Sequence, residues 1–243
     1  MTRFFAAAIL LTTLSAAAQT AASTQPASAP PPSVTATPTF SQSPIQSFPR
    51  VSGLDDKAIE AQVNKQLANR ERADRASRAD CLRAYISHGK PSYSELIRLA
   101  YLSPRLLSID VRTSYLCGSP YPNDDIPYPV TFDLTTGREL DWHLFFTDEF
   151  LNPPADRPSL LLNLYLRHAP PSEDCSDVVN DRNLTFAFWL DSARHSLMVR
   201  PNLSHVSQAC ATIAAIPFAE VQSQIRNPLD RQDLLPTPPL PSK

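Results

Sequence analysis

The chain has 243 residues, a formal net charge of −2, and only four glycines beside 25 prolines. Because basic residues do not outnumber acidic ones, the composition does not predict a basic surface of the kind that binds nucleic acid. No nucleic-acid partner is therefore expected. The shortage of glycine also argues against a glycine-rich loop that cradles phosphate groups.

The amino terminus has the pattern of a secretory signal peptide. Arg3 supplies a basic start, residues 4–14 are predominantly apolar, and residues 15–21 are small or polar. The apolar run is shorter than the roughly 20 residues that a transmembrane helix needs. We therefore expect cleavage, a periplasmic or secreted location, and no transmembrane segment after signal removal. An uncleaved signal anchor is the alternative.

Composition divides the remaining chain into a folded centre and two flanks. The flanks are rich in proline and small polar residues, which bury too little apolar surface to offset the entropy of ordering. The centre is long enough to bury its own core. The predicted parts are a signal peptide at 1–21, a Pro/Ser/Thr/Ala-rich linker at 22–51, a single domain at 52–226 and a Pro-rich tail at 227–243.

The four cysteines, Cys81, Cys117, Cys175 and Cys210, all lie in the predicted domain. Export favours disulfides over free thiols. Three pairings are possible, and the spacing favours Cys81–Cys117 with Cys175–Cys210, because each pair brackets one contiguous block. No two cysteines are close in sequence and no Cys-x-x-Cys occurs, so no metal site is predicted.

A long helix is predicted at the start of the domain. Ser52, with Asp55 three residues later, has the pattern of an N-terminal cap. Ile59, Val63 and Leu67 then recur at helical spacing.

The second half of this helix is rich in arginine. The pairs Glu71–Arg75 and Asp74–Arg78 are spaced four residues apart, which predicts ion pairs on a solvated helix face. A patch that binds an anionic ligand is the alternative.

Two strands, 92–102 and 106–117, are predicted on either side of a turn at Pro104. In the second strand apolar residues alternate with polar ones, which is typical of an antiparallel sheet with one face in water. The predicted wet face consists of Ser108, Asp110, Arg112 and Ser114.

The rest of the pattern completes an α+β fold, an antiparallel β-sheet with helices packed on one face and two disulfides. Pro158 is placed near the first position of a helix, and Gly137 supplies the positive φ of a turn. The predicted elements are a loop at 118–127, a strand at 128–134, an apolar pattern at 140–144, a helix at 158–166, a hairpin at 184–199, a strand at 211–216 and a short helix at 218–225.

Motifs for nucleophilic, phosphate or metal chemistry are absent from the sequence, so no enzyme activity and no cofactor are predicted. One alternative is a cell-envelope hydrolase that uses scattered acids, such as Asp110, Asp133 or Glu139, with a histidine. Asp133 has a simpler interpretation, as a strand-end residue that bonds the turn at Thr135 and Thr136. A structural envelope protein with Pro-rich spacers is a further alternative.

Several segments resemble a known family. They are 101–110, 115–122 and 131–140, the last containing Phe-Asp-Leu-Thr-Thr-Gly-Arg, followed later by 197–218. This pattern is similar to a bacterial extracytoplasmic domain of unknown function, found in the lysozyme-sensing anti-sigma-V factor and beside some peptidoglycan deacetylases. The resemblance covers 92–226. Residues 117–120 and 202–210 depart from the family's two most characteristic stretches.

The resemblance implies a non-catalytic binding domain whose ligand is a lysozyme-type protein or peptidoglycan. If a surface binds, we expect it on the loops 118–127 and 201–208, which replace those two stretches, because binding residues often lie on loops of a rigid scaffold. Ordinary connecting loops are the alternative. The candidate binding residues are Ser119, Tyr121, Asn123, Asp124, Asp125, Asn202 and His205.

Overall fold

A computed structural model describes residues 33–35, 47–84, 90–118, 123–152, 159–181 and 184–234. The helices are α1 (Lys57–Arg83), α2 (Trp142–Phe145), α3 (Asp148–Leu151), α4 (Leu160–His168), α5 (Ser176–Val179), α6 (Phe218–Val221) and α7 (Pro228–Asp233). The strands are β1 (Ser33–Thr35), β2 (Arg50–Ser52), β3 (Ser92–Leu102), β4 (Leu106–Leu116), β5 (Asn123–Pro127), β6 (Val130–Asp133), β7 (Arg138–Glu139), β8 (Phe186–Asp191), β9 (Ser196–Pro201) and β10 (Ala214–Pro217).

The strands form antiparallel sheets, which confirms the predicted α+β class. Two sheets of unequal size dominate the described part of the chain. The larger has the order β3-β4-β6-β7 with β5 also paired to β4, and the smaller has the order β10-β9-β8. The predicted hairpins are both present, β3–β4 around Pro104 and β8–β9 around residues 192–195.

Helix α1 covers one face of the larger sheet. Val63 and Leu67, on its inner side, are fully buried. The helix begins later than predicted, because Asp56 is the N-terminal cap and accepts from two backbone N–H groups, whereas Ser52 ends β2. The core under α1 consists of Phe48, Val51, Leu54, Val63, Leu67, Ile97, Leu107, Ile109, Val111, Val130, Phe132 and Leu134.

The turn after β6 also contacts α1. Gly137 has a φ of +68°, which confirms the predicted positive φ. Its carbonyl accepts from Gln66 Nε2 at 2.6 Å. A Cβ at this position would lie 3.2 Å from Ile59 Cγ2, so the close approach of the helix also favours glycine.

A second core lies between the smaller sheet and the short helices. It includes the predicted helix α4, whose cap is Ser159, so the helix starts one residue after the cap rather than at Pro158. The apolar pattern predicted at 140–144 lies in the segment that follows β7 and in α2. The largest fully buried side chains of this core are Tyr165, Phe146, Phe150, Leu106, Leu190, Leu197 and Ile216.

Both predicted disulfides are present. Cys81–Cys117, with 4.9 Å between Cα atoms, joins the end of α1 to the end of β4. Cys175–Cys210, with 5.4 Å between Cα atoms, joins two short 3-10 helices, Glu173–Cys175 and His205–Cys210. Each closes a loop of similar length, which stabilises the fold by about 4 kcal/mol in the chain-entropy treatment. Within the described residues, no helix combines the length and apolar character needed to cross a bilayer.

The folded region extends beyond both predicted boundaries. Phe48 and Val51 are buried under α1 although the linker was expected to reach residue 51. At the other end, α7 lies within the predicted tail but contacts the β3–β4 hairpin. Asp233 accepts from Ser103 Oγ through its carboxylate at 2.9 Å and from Tyr101 through its backbone oxygen at 2.5 Å.

We predict that removal of residues 227–243 lowers the free energy of unfolding by about 2–4 kcal/mol. The truncation removes two hydrogen bonds to Asp233, the Arg105–Asp230 ion pair and the buried Leu234. Urea denaturation measures the change. A matched truncation of residues 235–243 isolates the contribution of α7. Equal stabilities of the two truncated chains would contradict the assignment of α7 to the folded domain.

Candidate functional site

The two main sheets meet along a polar seam, which we define as the buried contact between β8 and the face of β4 opposite α1. Ser108 Oγ accepts from the backbone N–H of Leu190 at 3.1 Å and lies 2.8 Å from Thr131 Oγ1. Both hydroxyl residues are buried. The prediction that this face of β4 lies in water is therefore wrong at Ser108 and Asp110. Their polar groups are hydrogen-bonded to other groups of the protein instead of to water.

A single guanidinium bridges the two sheets within the seam. Arg98 Nη2 lies 2.9 Å from Asp110 Oδ2 and 2.8 Å from Asp191 Oδ2. Arg98 and Asp110 belong to paired positions of β3 and β4, whereas Asp191 ends β8. Both carboxylates are fully buried, so their charges depend on this pairing.

Two further arginines complete the cluster. Arg112 Nε lies 3.1 Å from Asp110 Oδ2, and the backbone N–H of Arg194 donates to Asp191 Oδ1 at 3.0 Å. Burial acts to raise the pKa of Asp191, but hydrogen bonds from Arg98 and Arg194 outweigh it, and the pKa is lowered. Asp191 therefore stays ionised and does not have the properties of a general acid.

A second titratable cluster lies between α1 and the larger sheet. Glu95 of β3 is buried, and its Oε1 accepts from the hydroxyl of Tyr128. Burial raises the pKa of Glu95 to about 7, with neighbouring Asp74 of α1 adding to the shift. The pKa of Asp74 is also raised by burial. Perturbed carboxyl groups of this kind occur at functional sites and in structural networks alike.

The acids of the hydrolase alternative are engaged in contacts that hold the fold. Asp133 accepts from the backbone N–H of Thr135 at 2.8 Å and from Thr136 Oγ1 at 3.1 Å, as its simpler interpretation predicts. Glu139 pairs with Arg70 at 3.0 Å. Asp110 is part of the seam. Within the described residues, no group of three or more side chains could hold a metal ion.

The arginine-rich half of α1 is largely paired with acids and amides. The predicted Glu71–Arg75 ion pair is confirmed, and Glu71 also binds Arg50 at 2.6 Å. The predicted Asp74–Arg78 pair does not form, and Asp74 Oδ2 and Arg78 Nε are both buried without hydrogen-bond partners among the described groups. Asp74 instead lies beside Glu95 and Tyr128. Glu71 is itself buried, so the predicted solvated face is wrong at this residue, but its pairing with two arginines argues against an unpaired patch that binds an anionic ligand.

The first predicted binding loop is only partly described. Ser119 and Tyr121 lie outside the described residues. Asn123 begins β5, so the second half of the expected loop is a strand paired with β4. Asp124 and Asp125 follow in this strand, and their side chains lie outside the described part of the structure.

The second predicted loop follows β9 and leads to Cys210. Asn202 is exposed, and its backbone N–H and Nδ2 donate to Thr185 at 2.8 and 3.2 Å. His205 opens the 3-10 helix, and its side chain lies outside the described part. The described contacts therefore place the two loops beside different disulfides, since the first begins directly after Cys117.

The second loop also presents an apolar side chain that the sequence analysis did not select. Val206 is 89% exposed, the highest value among the exposed large hydrophobic side chains of the described chain. It follows His205 in the 3-10 helix that ends at Cys210. Its neighbours in sequence are polar, so no periodic pattern could mark it.

Arg98, Asp191, Glu95 and Asp74 were also missed as site residues. A usable signal existed for two of them, because Arg98 and Glu95 are charged residues in a strand whose other residues are uncharged. A hairpin centred on Pro104 also places Arg98 opposite Asp110, as observed. No comparable signal joins Asp191 to the same cluster, since it comes from a separate hairpin.

Comparisons with known proteins show similarity at the level of fold. No family model and no curated protein matches the chain. A DUF3298 family member from Bacteroides fragilis is similar with a TM-score of 0.51 and 10% identity, covering 77% of this chain and 86% of that protein. A DUF3298 family protein from Pseudomonas aeruginosa aligns with a TM-score of 0.34 and 10% identity, over 86% and 97% of the two chains. The first comparison establishes a shared fold with a domain of unknown function.

We predict that Arg98→Met lowers the free energy of unfolding by about 3–5 kcal/mol near neutral pH, because it leaves two buried carboxylates short of their shared cation. The loss should shrink as pH falls and the carboxylates take up protons. Wild-type Asp191, whose pKa is lowered, contributes stability above its ordinary pKa of 3.8 that is lost as pH falls through the lowered value.

Urea denaturation of both proteins at neutral and acidic pH measures this difference. Arg194→Met is the matched control, because the Arg194 side chain is 52% exposed and its ion pair with Asp191 should contribute less than about 1 kcal/mol. Equal destabilisation by the two substitutions would contradict the bridging role of Arg98.

Proposed function

We propose that this protein is an exported, non-catalytic binding domain that contacts a lysozyme-type protein or peptidoglycan through residues 201–210. The observation that carries the proposal is the nearly complete exposure of Val206 on a segment that is fixed at both ends. Asn202 fixes one end by two hydrogen bonds to Thr185, and the Cys175–Cys210 disulfide fixes the other.

This arrangement favours binding for two physical reasons. An exposed aliphatic side chain gains free energy when a partner removes it from water. A segment that is already constrained loses less conformational entropy on association than a free loop does. A single exposed apolar residue is common on protein surfaces, so exposure alone would not mark Val206 as a binding residue. The constraint at both ends of its segment is the feature that supports this interpretation.

Three other features support the proposal. The two disulfides suit an oxidising compartment outside the cytoplasm. The sequence resemblance to the extracytoplasmic domain of the lysozyme-sensing anti-sigma-V factor suggests the class of ligand. The shared fold with a domain of unknown function agrees with that resemblance at the level of fold alone.

The test is a binding titration of the oxidised protein against c-type lysozyme and against insoluble peptidoglycan, with muramidase activity followed in parallel. We predict saturable binding to one of them, weakened at least about tenfold by Val206→Asp, because a buried charge in an interface costs more than about 1.4 kcal/mol. Leu144→Asp is the matched control, since Leu144 is 73% exposed on α2, outside the proposed surface.

Each outcome bears on a separate part of the proposal. Equal weakening by Val206→Asp and Leu144→Asp would show that the loop is not part of the interface. Absence of binding to both materials would contradict the proposed class of ligand. Turnover of peptidoglycan by the purified protein would contradict the non-catalytic assignment.

A further inference from the structure

Two carboxyl groups from different elements meet under the middle of α1. Asp74 of the helix and Glu95 of β3 lie close enough that each acts on the pKa of the other, and Tyr128 acts on both. Glu95 is buried. Asp74 Oδ2 is also buried and has no hydrogen-bond partner among the described groups.

The surroundings of this pair supply little positive charge to Glu95. The strongest influences of neighbouring groups on the pKa of Glu95 come from Tyr128, Asp74 and Glu71, and none of these three is a cation. The nearest cations are engaged elsewhere or act on Asp74. Arg50 and Arg75 bind Glu71, Arg70 binds Glu139 and acts on Asp74, and Arg78 follows Asp74 by one helical turn with its Nε unpartnered.

The remaining groups that face the pair are neutral near physiological pH. From the sheet side, Tyr128 donates to Glu95, Thr113 lies opposite Glu95 in the strand register, and Tyr93 stacks with Tyr115. Burial raises the pKa values of Tyr93 and Tyr128, which keeps their hydroxyl groups protonated.

Hydrogen-bond accounting indicates a proton between the two carboxyl groups. Ionised carboxylates only accept hydrogen bonds, so two ionised groups facing each other repel and leave the buried Asp74 Oδ2 without a donor. Tyr128 acts on both carboxyl groups, but it has one hydroxyl proton, which it donates to Glu95 Oε1. One added proton replaces the repulsion between the two carboxylates by a hydrogen bond between them, which gives Asp74 Oδ2 a partner.

We propose that Asp74 and Glu95 share one proton and form a pH-sensitive latch that holds the middle of α1 against the larger sheet. When the proton is present, the pair joins the helix to β3. When it is lost, two carboxylates face each other in a poorly hydrated place and the contact is weakened.

The position of the latch makes its opening local. Toward the start of α1, Val63 and Leu67 anchor the helix in the core, and at its end the Cys81–Cys117 disulfide holds it to β4. Asp74 lies between these two anchors. Loss of the proton should therefore loosen the intervening turns without releasing the whole helix.

The sign of the pH dependence follows from the direction of the pKa shift. The pKa of Glu95 is raised from 4.5 to about 7 in the folded protein. The folded state therefore binds more protons than the unfolded state between these values. The stabilisation is fully present below about pH 4.5 and is lost as pH rises through about 7.

The first experiment measures unfolding by urea from about pH 5 to about pH 8 in wild type, Glu95→Gln and Glu149→Gln. In wild type, the unfolding constant should rise by up to about tenfold per pH unit below pH 7. Glu95→Gln should remove this rise, because glutamine keeps a donor for Asp74 and cannot ionise. Glu149→Gln, an exposed control on α3, should keep it.

The second experiment uses the wild-type protein alone, so it does not depend on the folding of a variant. A carbon-detected NMR titration of the Glu95 carboxyl group should show protonation near neutral pH. Amide hydrogen exchange in the middle of α1, measured relative to β4, should increase above neutral pH. Titration of Glu95 near its ordinary pKa, or the same pH slope in wild type and Glu95→Gln, would overturn the latch.

Discussion

One guanidinium group holds a carboxylate from each of the two main sheets. Arg98 reaches Asp110 within its own sheet and Asp191 at the end of β8, and both acids are removed from water. Burial of two negative charges would be strongly unfavourable alone, so the sheets are tied to the one relative position in which the cation serves both. The Ser108–Leu190 hydrogen bond adds a neutral contact to the same seam.

The elements that carry the proposed functions depend on this junction. The larger sheet supports α1 and the Asp74–Glu95 pair, whereas the smaller sheet supports the segment that ends at Cys210. The Cys81–Cys117 disulfide ties α1 to the end of β4 in the larger sheet, and the Cys175–Cys210 disulfide joins two 3-10 helices, the second of which lies between β9 and β10. Core packing and the seam therefore hold the two sheets together. The two disulfides restrict the conformations of the segments next to them.

Local features of the fold could be predicted from the sequence because local chemistry determines them. Pro104 marks the β3–β4 turn, Gly137 supplies a positive φ, and the cysteine spacing favours the observed pairing. The apolar face of β4 was also predicted correctly, since Leu107, Ile109 and Val111 are fully buried.

The errors arose where distant segments meet. Ser108 and Asp110 alternate with apolar residues as exposed residues do, and only the approach of β8 buries them. In the same way, α7 lies in a segment that was predicted to be part of a Pro-rich tail, but its Asp233 binds Tyr101 and Ser103. Val206 carries no periodic signal, because its neighbours in sequence are polar. Alternation reports which residues share a face, but not what covers that face.

A double-mutant cycle between the sheets tests the central constraint most directly. Arg98→Met, Asp191→Asn and the combined variant are compared with wild type by urea denaturation at neutral pH. If Arg98 joins the sheets through Asp191, the two substitutions should be less than additive, with a coupling energy of about 1–3 kcal/mol. Additivity within about 0.5 kcal/mol would contradict the account, because it would mean that the two sheets are held together independently of this ion pair.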